Sequence, residues 1–333
     1  MRNTSVRVVG GALVVLASLA GVARGFTIDQ IVADLDLPAE SAARVRRGEM
    51  VHSDPEESSE RELGVDLVFL VRQPAAEVVN AFRSAVDLKS DPQLSTSVPI
   101  DGPGTLADFS ALTLEPDGAA ETRRYLAAST GETLNLSADE IQAFTALAAD
   151  GAGQSQVEAE LRRLLLARYQ AYRQYGLAGM APYQRRGGPF EPAGELRRAT
   201  AAARPLQQHA PAMQKLLLSY PDGKPAGLEE HFYWLRYVLD GRPNYTLRHR
   251  LAAPIGDVFV TADREFYVSH GYNTSQAYAG LVPVPEGTLV VYRSRVSTDQ
   301  LAGFGSSVKK GIGRGVMTKQ ITDIFERSRD SFR

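Results

Sequence analysis

The feature that most constrains the fold of this chain is a run of alternating apolar and polar residues near its carboxyl end. This alternation predicts strands at Glu229–Leu239, Tyr245–Ala252, Asp257–Val268 and Thr288–Val296. Asp240-Gly241 separates the first two strands and is typical of a tight hairpin turn. The sequence therefore predicts an antiparallel meander with one covered face.

The odd-numbered side chains of the first two strands are apolar or aromatic, apart from one histidine in each strand. They are His231, Tyr233, Leu235 and Tyr237 in the first strand and Tyr245, Leu247, His249 and Leu251 in the second. Alternate residues of a strand share a face. We therefore expect both sets to point into one cavity, although Phe232 and Trp234 favour the opposite orientation.

A long helix is predicted directly after the meander, from about Thr298 to Arg327. Apolar residues recur there at three- and four-residue spacing. Gly311 and Gly315 lie on this helix, and we expect them to let its backbone approach the sheet or a ligand closely. The alternative is a glycine-rich loop, with the helix beginning near Val316.

Residues 1–25 have the pattern of a secretory signal peptide. Arg2 and Arg7 precede an apolar run, and Ala23-Arg24-Gly25 places small residues before a cleavage site at Phe26. The apolar run is short for a membrane span. The mature chain is thus expected in the periplasm or secreted, with no transmembrane span after cleavage; an uncleaved anchor is the alternative. The absence of cysteine excludes disulfides and a lipoprotein anchor.

The remaining chain divides into three parts by composition. Residues 26–118 carry a predicted strand at Leu63–Val71, a helix at Ala75–Ala85, a loop at Asp87–Gly104 and a further strand at Leu106–Leu114. Residues 119–226 are rich in alanine, arginine and leucine and are predicted to be helical. Residues 227–333 hold the meander and the long helix. The fold class predicted is α+β.

The order of these elements resembles the START-like helix-grip superfamily (SRPBCC). The residues that carry the resemblance are Val68–Val78, a strand that ends at a proline followed by a short helix, and Thr288–Arg327, a last strand that leads into a long helix. The resemblance implies an antiparallel sheet around the C-terminal helix, with an apolar cavity between them for a lipid-like ligand. Residues 119–226 depart from the family pattern and form either an insertion or a separate domain.

Charge and motifs exclude several functions and leave others open. Removal of residues 1–25 takes away three arginines, which changes the net charge from −2 to −5 and gives no reason to expect nucleic acid. Neither a Gly-x-Ser-x-Gly nucleophile elbow nor a His-Glu-x-x-His zinc motif occurs in the sequence. Two alternatives remain open: a metal or haem site at His231, His249 and His270, and an anion site at Lys309–Gly315.

The function predicted from these observations is the binding of a hydrophobic or amphipathic small molecule between the sheet and the C-terminal helix. The residues expected to bind it are His231, Tyr233, Tyr237, Tyr245, His249, Gly311 and Gly315. We predict no cofactor, no metal and no catalytic residue. The first alternative is a hydrolase- or cyclase-type enzyme on the same scaffold that uses His231, His249 or Tyr233 as acid or base. The second is a structural or interaction protein of the cell envelope. The sequence does not define the oligomeric state.

Overall fold

The computed structural model describes residues 25–84, 89–301 and 306–328. The strands are β1 Val51–Ser53, β2 Glu62–Val71, β3 Leu94–Pro99, β4 Tyr183–Arg185, β5 Gly188–Phe190, β6 Glu229–Leu239, β7 Arg242–Ile255, β8 Val258–Val268, β9 Thr274–Val284 and β10 Gly287–Ser297. The helices are α1 Ile28–Asp34, α2 Glu40–Arg46, α3 Ala75–Arg83, α4 Gly118–Leu126, α5 Ala138–Ala149, α6 Gln154–Tyr175, α7 Pro192–Ala201, α8 Arg204–His209, α9 Pro211–Ser219 and α10 Ser306–Ser328. The chain is thus an α+β protein.

One eight-stranded sheet organises the described part of the molecule. Its strand order is β1-β2-β10-β9-β8-β7-β6-β3, and every neighbouring pair is antiparallel. Strands β6 to β10 follow one another along the chain and pair in sequence, which confirms the predicted meander. The early strand β2 pairs with β10, so the strand and helix around Val68–Val78 belong to the same sheet, as predicted.

The first hairpin turn has the geometry that its sequence predicts. Asp240 and Gly241 both have positive φ angles, of 51° and 74°. A two-residue turn of this kind favours an Asp-Gly pair because glycine adopts positive φ without strain. Leu239 therefore pairs with Arg242 across the turn, and this pairing sets the register of the whole β6–β7 hairpin.

Four elements differ from the sequence predictions. The segment Leu106–Leu114 is not a strand, since it begins with a short 3₁₀ helix at Leu106–Phe109. The predicted loop Asp87–Gly104 contains the edge strand β3, and β9 was not predicted at all. The long helix begins at Ser306 rather than at Thr298; a 3₁₀ turn occupies Asp299–Leu301, and residues 302–305 lie outside the described chain.

Helices α4 to α9 cover one face of the sheet, which we call the block face. Tyr169 and Tyr172 of α6 contact Phe232 of β6, with ring centroids 5.2 and 6.4 Å apart. Trp234 is stacked on Phe109, and its indole nitrogen donates to the carbonyl of Asp108 at 2.8 Å. The larger of the two main hydrophobic cores lies on this face and also includes residues of α1 and α2.

Helices α3 and α10 cover the opposite face, which we call the helix face. Phe325 of α10 contacts Phe69 of β2, Phe82 of α3 and Tyr292 of β10, at centroid distances of 5.1, 6.3 and 4.9 Å. The carboxyl-terminal half of α10 therefore packs against β2 and β10. None of the described helices combines the length and apolar character that a membrane crossing requires.

The glycines of α10 do not act as expected. A side chain added at Gly311 or Gly315 would meet no described atom within 4 Å, so neither glycine approaches the described part of the sheet. They lie on the same side of the helix as Val308 and Ile312, which are 67% and 68% exposed. Gly313 is the glycine that packs, since an added Cβ there would lie 2.9 Å from a methyl group of Leu63.

Candidate functional site

The candidate site is built around the first residues of β6, where this strand meets the helical block. Glu230 to Phe232 follow the first residue of the strand, Glu229, and Phe232 is directly opposite His249 on β7. The two rings stack in parallel, with centroids 4.2 Å apart and an angle of 10°. Tyr220, which follows α9, packs its ring edge-on against His249 at 4.6 Å.

His249 is completely buried and has a polar group at each ring nitrogen. Its Nδ1 lies 3.1 Å from the hydroxyl of Tyr172. Its Nε2 lies 3.1 Å from Oε1 of Glu230. The angle of this second contact is outside the hydrogen-bond range, and neither atom has another hydrogen-bond partner among the described residues. The three side chains nevertheless form a continuous polar path from the core to the surface.

The charges along this path are fixed by burial and by neighbouring groups. Burial lowers the pKa of His249 to about 4, so the imidazole is neutral at pH 7. Burial raises the pKa of Glu230, but contacts with His249, Lys224 and Tyr220 outweigh it and bring that pKa down to about 2. The Nζ of Lys224 lies 2.5 Å from Oε2 of Glu230. The carboxylate is therefore ionised and held from two sides.

A buried arginine anchors the inner end of the path. Arg264 is 1% exposed and donates to Gln276 at 2.9 Å and to the carbonyl of Leu217 at 2.7 Å. Its third nitrogen donates to the Tyr172 hydroxyl at 3.4 Å. With this donor in place, the Tyr172 hydroxyl is free to donate its own proton to Nδ1 of His249, which assigns the proton of the neutral imidazole to Nε2, facing Glu230.

The outer end of the path opens into a cavity of about 590 Å³. We call it the Glu230 cavity. It is lined by Pro99 to Pro103, by Tyr169, Gln170, Arg173 and Gln174 of α6, by Tyr220, Pro221 and Lys224, and by Glu230 to Phe232. A volume of this size is typical of small-molecule sites.

Two charged side chains in the wall of the Glu230 cavity are unpaired. Arg173 is exposed and has no hydrogen bond or ion pair with any described residue. Asp101, on the loop after β3, is also exposed and has no side-chain partner within the described chain. Lys224 differs from both because Glu230 already neutralises it. The cavity therefore offers one free guanidinium and one free carboxylate.

The structure brings together only two of the seven predicted site residues at this cavity. His231 borders it at the exposed start of β6, and His249 lies behind Glu230. Tyr245 is on the same face but at another place, where its hydroxyl donates to the carbonyl of Thr113. Gly311 and Gly315 lie on the exposed side of α10.

Tyr233 and Tyr237 point to the opposite side of the sheet, so the predicted shared face is wrong. The register pairs His231 with Arg250, Tyr233 with Arg248 and Tyr237 with Asn244. Odd positions of β6 thus stand beside even positions of β7. The orientation favoured by Phe232 and Trp234 is the one in the structure, and both face the helical block.

A second polar network lies on the helix face, around Tyr237. Arg248 donates to the hydroxyl of Tyr237 at 2.6 Å and to Glu265 at 2.6 Å. The hydroxyl of Tyr272 donates to the other oxygen of Glu265 at 2.7 Å. The polar network at Tyr237 therefore lies beside a small apolar cluster centred on Leu235.

The sequence drew attention to only part of the site. Glu230 is not among the seven predicted binding residues, and the structure places it beside His249. Among the described residues, no group of three or more His, Asp or Glu side chains is arranged to hold a metal ion. Arg173, Tyr220 and Lys224 were not predicted, because they lie on or after helices whose position over β6 is set by tertiary packing.

No protein-family model, curated protein or solved structure matches this chain. The resemblance to the helix-grip superfamily therefore stays a prediction.

Proposed function

We propose that the protein binds a small amphipathic molecule with an anionic group in the Glu230 cavity. The observation that carries the proposal is the unpaired guanidinium of Arg173 in the wall of a cavity whose inner side is formed by aromatic rings. An arginine in this position would pair with a carboxylate or phosphate. The rings of Tyr169, Tyr220 and Phe232 would contact the apolar part of the ligand.

The charges of the cavity favour binding over acid–base catalysis. A general acid or base works best with a pKa near the operating pH. Glu230 has a pKa of about 2, and the neutral His249 is buried behind it with Nδ1 engaged by Tyr172. The path from Tyr172 to Glu230 is thus suited to hold the carboxylate and Lys224 in place.

This proposal keeps the class of ligand expected from the sequence and changes its location. The expected cavity lay between the sheet and the C-terminal helix, whereas the Glu230 cavity lies between β6 and the helical block. Asp101 adds an acceptor for a positive group, so a zwitterion would suit the cavity as well as an anion. Export stays part of the proposal and rests on the signal-like residues 1–25, of which residues 1–24 lie outside the described chain. Amino-terminal sequencing of the mature protein should begin at Phe26.

The proposal is tested with three ligands that share a phenyl ring and differ in charge. Phenylacetate and phenylalanine should bind, while phenethylamine, which lacks the anionic group, should not. Trp234 is the single tryptophan of the chain. It donates a hydrogen bond to Asp108, which follows the cavity-lining segment Pro99 to Pro103, so its fluorescence should respond when a ligand moves this segment. Its fluorescence change on titration measures the affinity.

A pair of variants on one helix separates specific binding from general charge effects. Arg173→Gln should weaken phenylacetate binding about tenfold, the loss expected for one charged hydrogen bond. Arg163→Gln is the matched control, because Arg163 is exposed on the same helix and pairs with Glu160. Equal affinities for phenylacetate and phenethylamine, or equal effects of the two variants, would refute the proposal.

A further inference from the structure

A second cavity, of about 430 Å³, lies at the end of the sheet next to α10. We call it the Asn273 cavity. It is bordered by the β6–β7 turn, by the connection from β8 to β9 and by the 3₁₀ turn before α10. Gln320 of α10 reaches across to Gln93 at the start of β3, with a hydrogen bond of 2.9 Å. This cavity shares no lining residue with the Glu230 cavity.

A buried arginine fixes the inner wall of the Asn273 cavity. Arg185 is 9% exposed, donates to Oδ1 of Asn273 at 3.0 Å, and also donates to Oδ1 of Asn135. It pairs with Asp299 at 2.8 Å. The amide nitrogen of Asn135 in turn donates to the carbonyl of Val268 and to that of Tyr272, each at 2.7 Å. The wall is thus held rigidly by hydrogen bonds that leave these groups no freedom to rotate.

One donor in this rigid wall has no acceptor. Asn273 is 2% exposed, and its Nδ2 atom is buried without a hydrogen-bond partner among the described residues. Its amide cannot rotate to find one, because Arg185 holds the oxygen end. A buried donor without an acceptor costs about 1–3 kcal/mol. An oxygen atom of a ligand in the cavity would supply the missing acceptor.

The other groups that line the Asn273 cavity indicate the chemical class of a ligand that could accept a hydrogen bond from Asn273. The two arginines are both engaged by carboxylates: Arg185 pairs with Asp299, which also pairs with Arg61, and Arg242 pairs with Glu121, which also pairs with Arg124. The carboxylates of Glu132 and Asp240 are exposed, so the wall does not favour an anion. What is left are amides and hydroxyls, among them Gln300, which both donate and accept hydrogen bonds.

We propose that the Asn273 cavity binds an uncharged polyhydroxylated molecule such as a sugar. A hydroxyl group is both donor and acceptor, so it matches the unpaired Nδ2 of Asn273, the amides of the wall and the exposed carboxylates at once. The half-buried ring of Tyr272 is held in place by its hydrogen bond to Glu265 and offers an apolar surface beside these groups. This proposal depends on residues outside the Glu230 cavity. Experiments can therefore refute sugar binding in the Asn273 cavity and anion binding in the Glu230 cavity independently.

The test is a titration of the full-length mature protein with neutral and charged sugars. Glucose, galactose, mannose, trehalose and myo-inositol are the neutral probes; glucosamine is the cationic probe and glucuronate the anionic one. Saturation-transfer NMR and calorimetry should show at least one neutral probe with Kd below about 1 mM. Failure of all neutral probes up to about 10 mM would overturn the proposal, as would binding of glucosamine alone.

Two variants locate the binding in this cavity. Asn273→Leu keeps the approximate size of the side chain, removes the buried donor and adds no acceptor, and it should weaken sugar binding about tenfold. Arg173→Gln, in the Glu230 cavity, should leave sugar binding unchanged. If near-ultraviolet circular dichroism shows that Asn273→Leu does not fold, Gln300→Ala replaces it, because Gln300 is exposed. The expected loss of sugar affinity for Gln300→Ala is about threefold. Unchanged affinity in the folded variant would overturn the proposal.

Discussion

His249 illustrates at the scale of single residues how burial decides what a side chain can do. The sequence proposed it as a ligand-binding residue, an acid–base group or a metal ligand. In the structure its ring is enclosed by Phe232, Tyr220 and Tyr172, and its Nε2 contacts Glu230, which borders the Glu230 cavity. The neutral imidazole is therefore a link in a polar path. Alternation along the strand predicted its burial, but the identity of its neighbours depends on helices far away in sequence.

The hydroxyl of Tyr172 should matter for stability. Tyr172→Phe removes the contact with Nδ1 of His249 and the one with Arg264, and leaves two buried groups without that partner. We expect the free energy of unfolding at pH 7 to fall by about 1–3 kcal/mol in guanidinium chloride denaturation. The matched control is Tyr169→Phe, one turn earlier on α6, where the hydroxyl donates to the Gly102 carbonyl at the protein surface. An equal or larger loss for Tyr169→Phe would contradict the buried role of Tyr172.

At the scale of elements, the register of the first hairpin explains the main error of the sequence interpretation. The turn consists of Asp240 and Gly241 alone, so Leu239 pairs with Arg242. Residues on either side of a two-residue turn differ by three in number, so odd positions of one strand pair with even positions of the next. The sequence could therefore have predicted that His249 and Tyr233 lie on opposite faces of the sheet, because the Asp-Gly pair that predicts the turn also fixes the register.

Other elements were harder to predict from local pattern. Strand β9 includes Gly280 and Pro283, residues that are unfavourable in isolated strands. Its long ladders with β8 and β10 hold it in place. Strand β3 is a serine-rich edge strand with partly exposed residues, and it lacks the apolar alternation of the central strands. In both cases tertiary pairing outweighs local propensity.

The glycines of α10 offer a prediction at this scale. Gly311→Ala and Gly315→Ala should each raise the free energy of unfolding by about 0.5–1 kcal/mol, because alanine favours the helix and no described atom lies within 4 Å of the new methyl group. Gly313→Ala should raise the free energy of unfolding by less, since the new methyl group would lie 2.9 Å from Leu63. Thermal unfolding of the three variants measures their order of stability. A stabilisation by Gly313→Ala as large as the other two would show that α10 does not approach β2 at this point.

At the scale of the whole molecule, one sheet separates two cores of different character. The helical block buries aromatic residues and the His249 path on one face, and α3 and α10 bury a smaller apolar cluster on the other. The sequence predicted the meander, the early strand and the long helix, so most of the architecture follows from local pattern. It placed the ligand under the long helix, whereas we propose the Glu230 cavity under the helical block. The location of the block over β6 depends on packing contacts that no local pattern contains.

Two buried histidines on the block side make the whole fold sensitive to acid. Burial lowers the pKa of His249 and of His270 from 6.5 to about 4. His249 faces Glu230, Arg264 and Lys224, and His270 faces Arg242, Glu121 and Arg124. An unfolded chain binds protons at these residues below pH 6.5, while the folded chain does not until about pH 4. The folded state therefore loses stability as the pH falls through this window.

Each histidine should lower the free energy of unfolding by at most about 3 kcal/mol between neutral pH and pH 4. Denaturation curves at pH 7.5, 6, 5 and 4 would measure the loss. NMR of the five histidines should show two imidazoles that do not titrate above about pH 4. His270→Asn should flatten the pH dependence by about half, because His249 still supplies the remainder. A flat profile in the unaltered protein would mean that neither imidazole is buried in its neutral form.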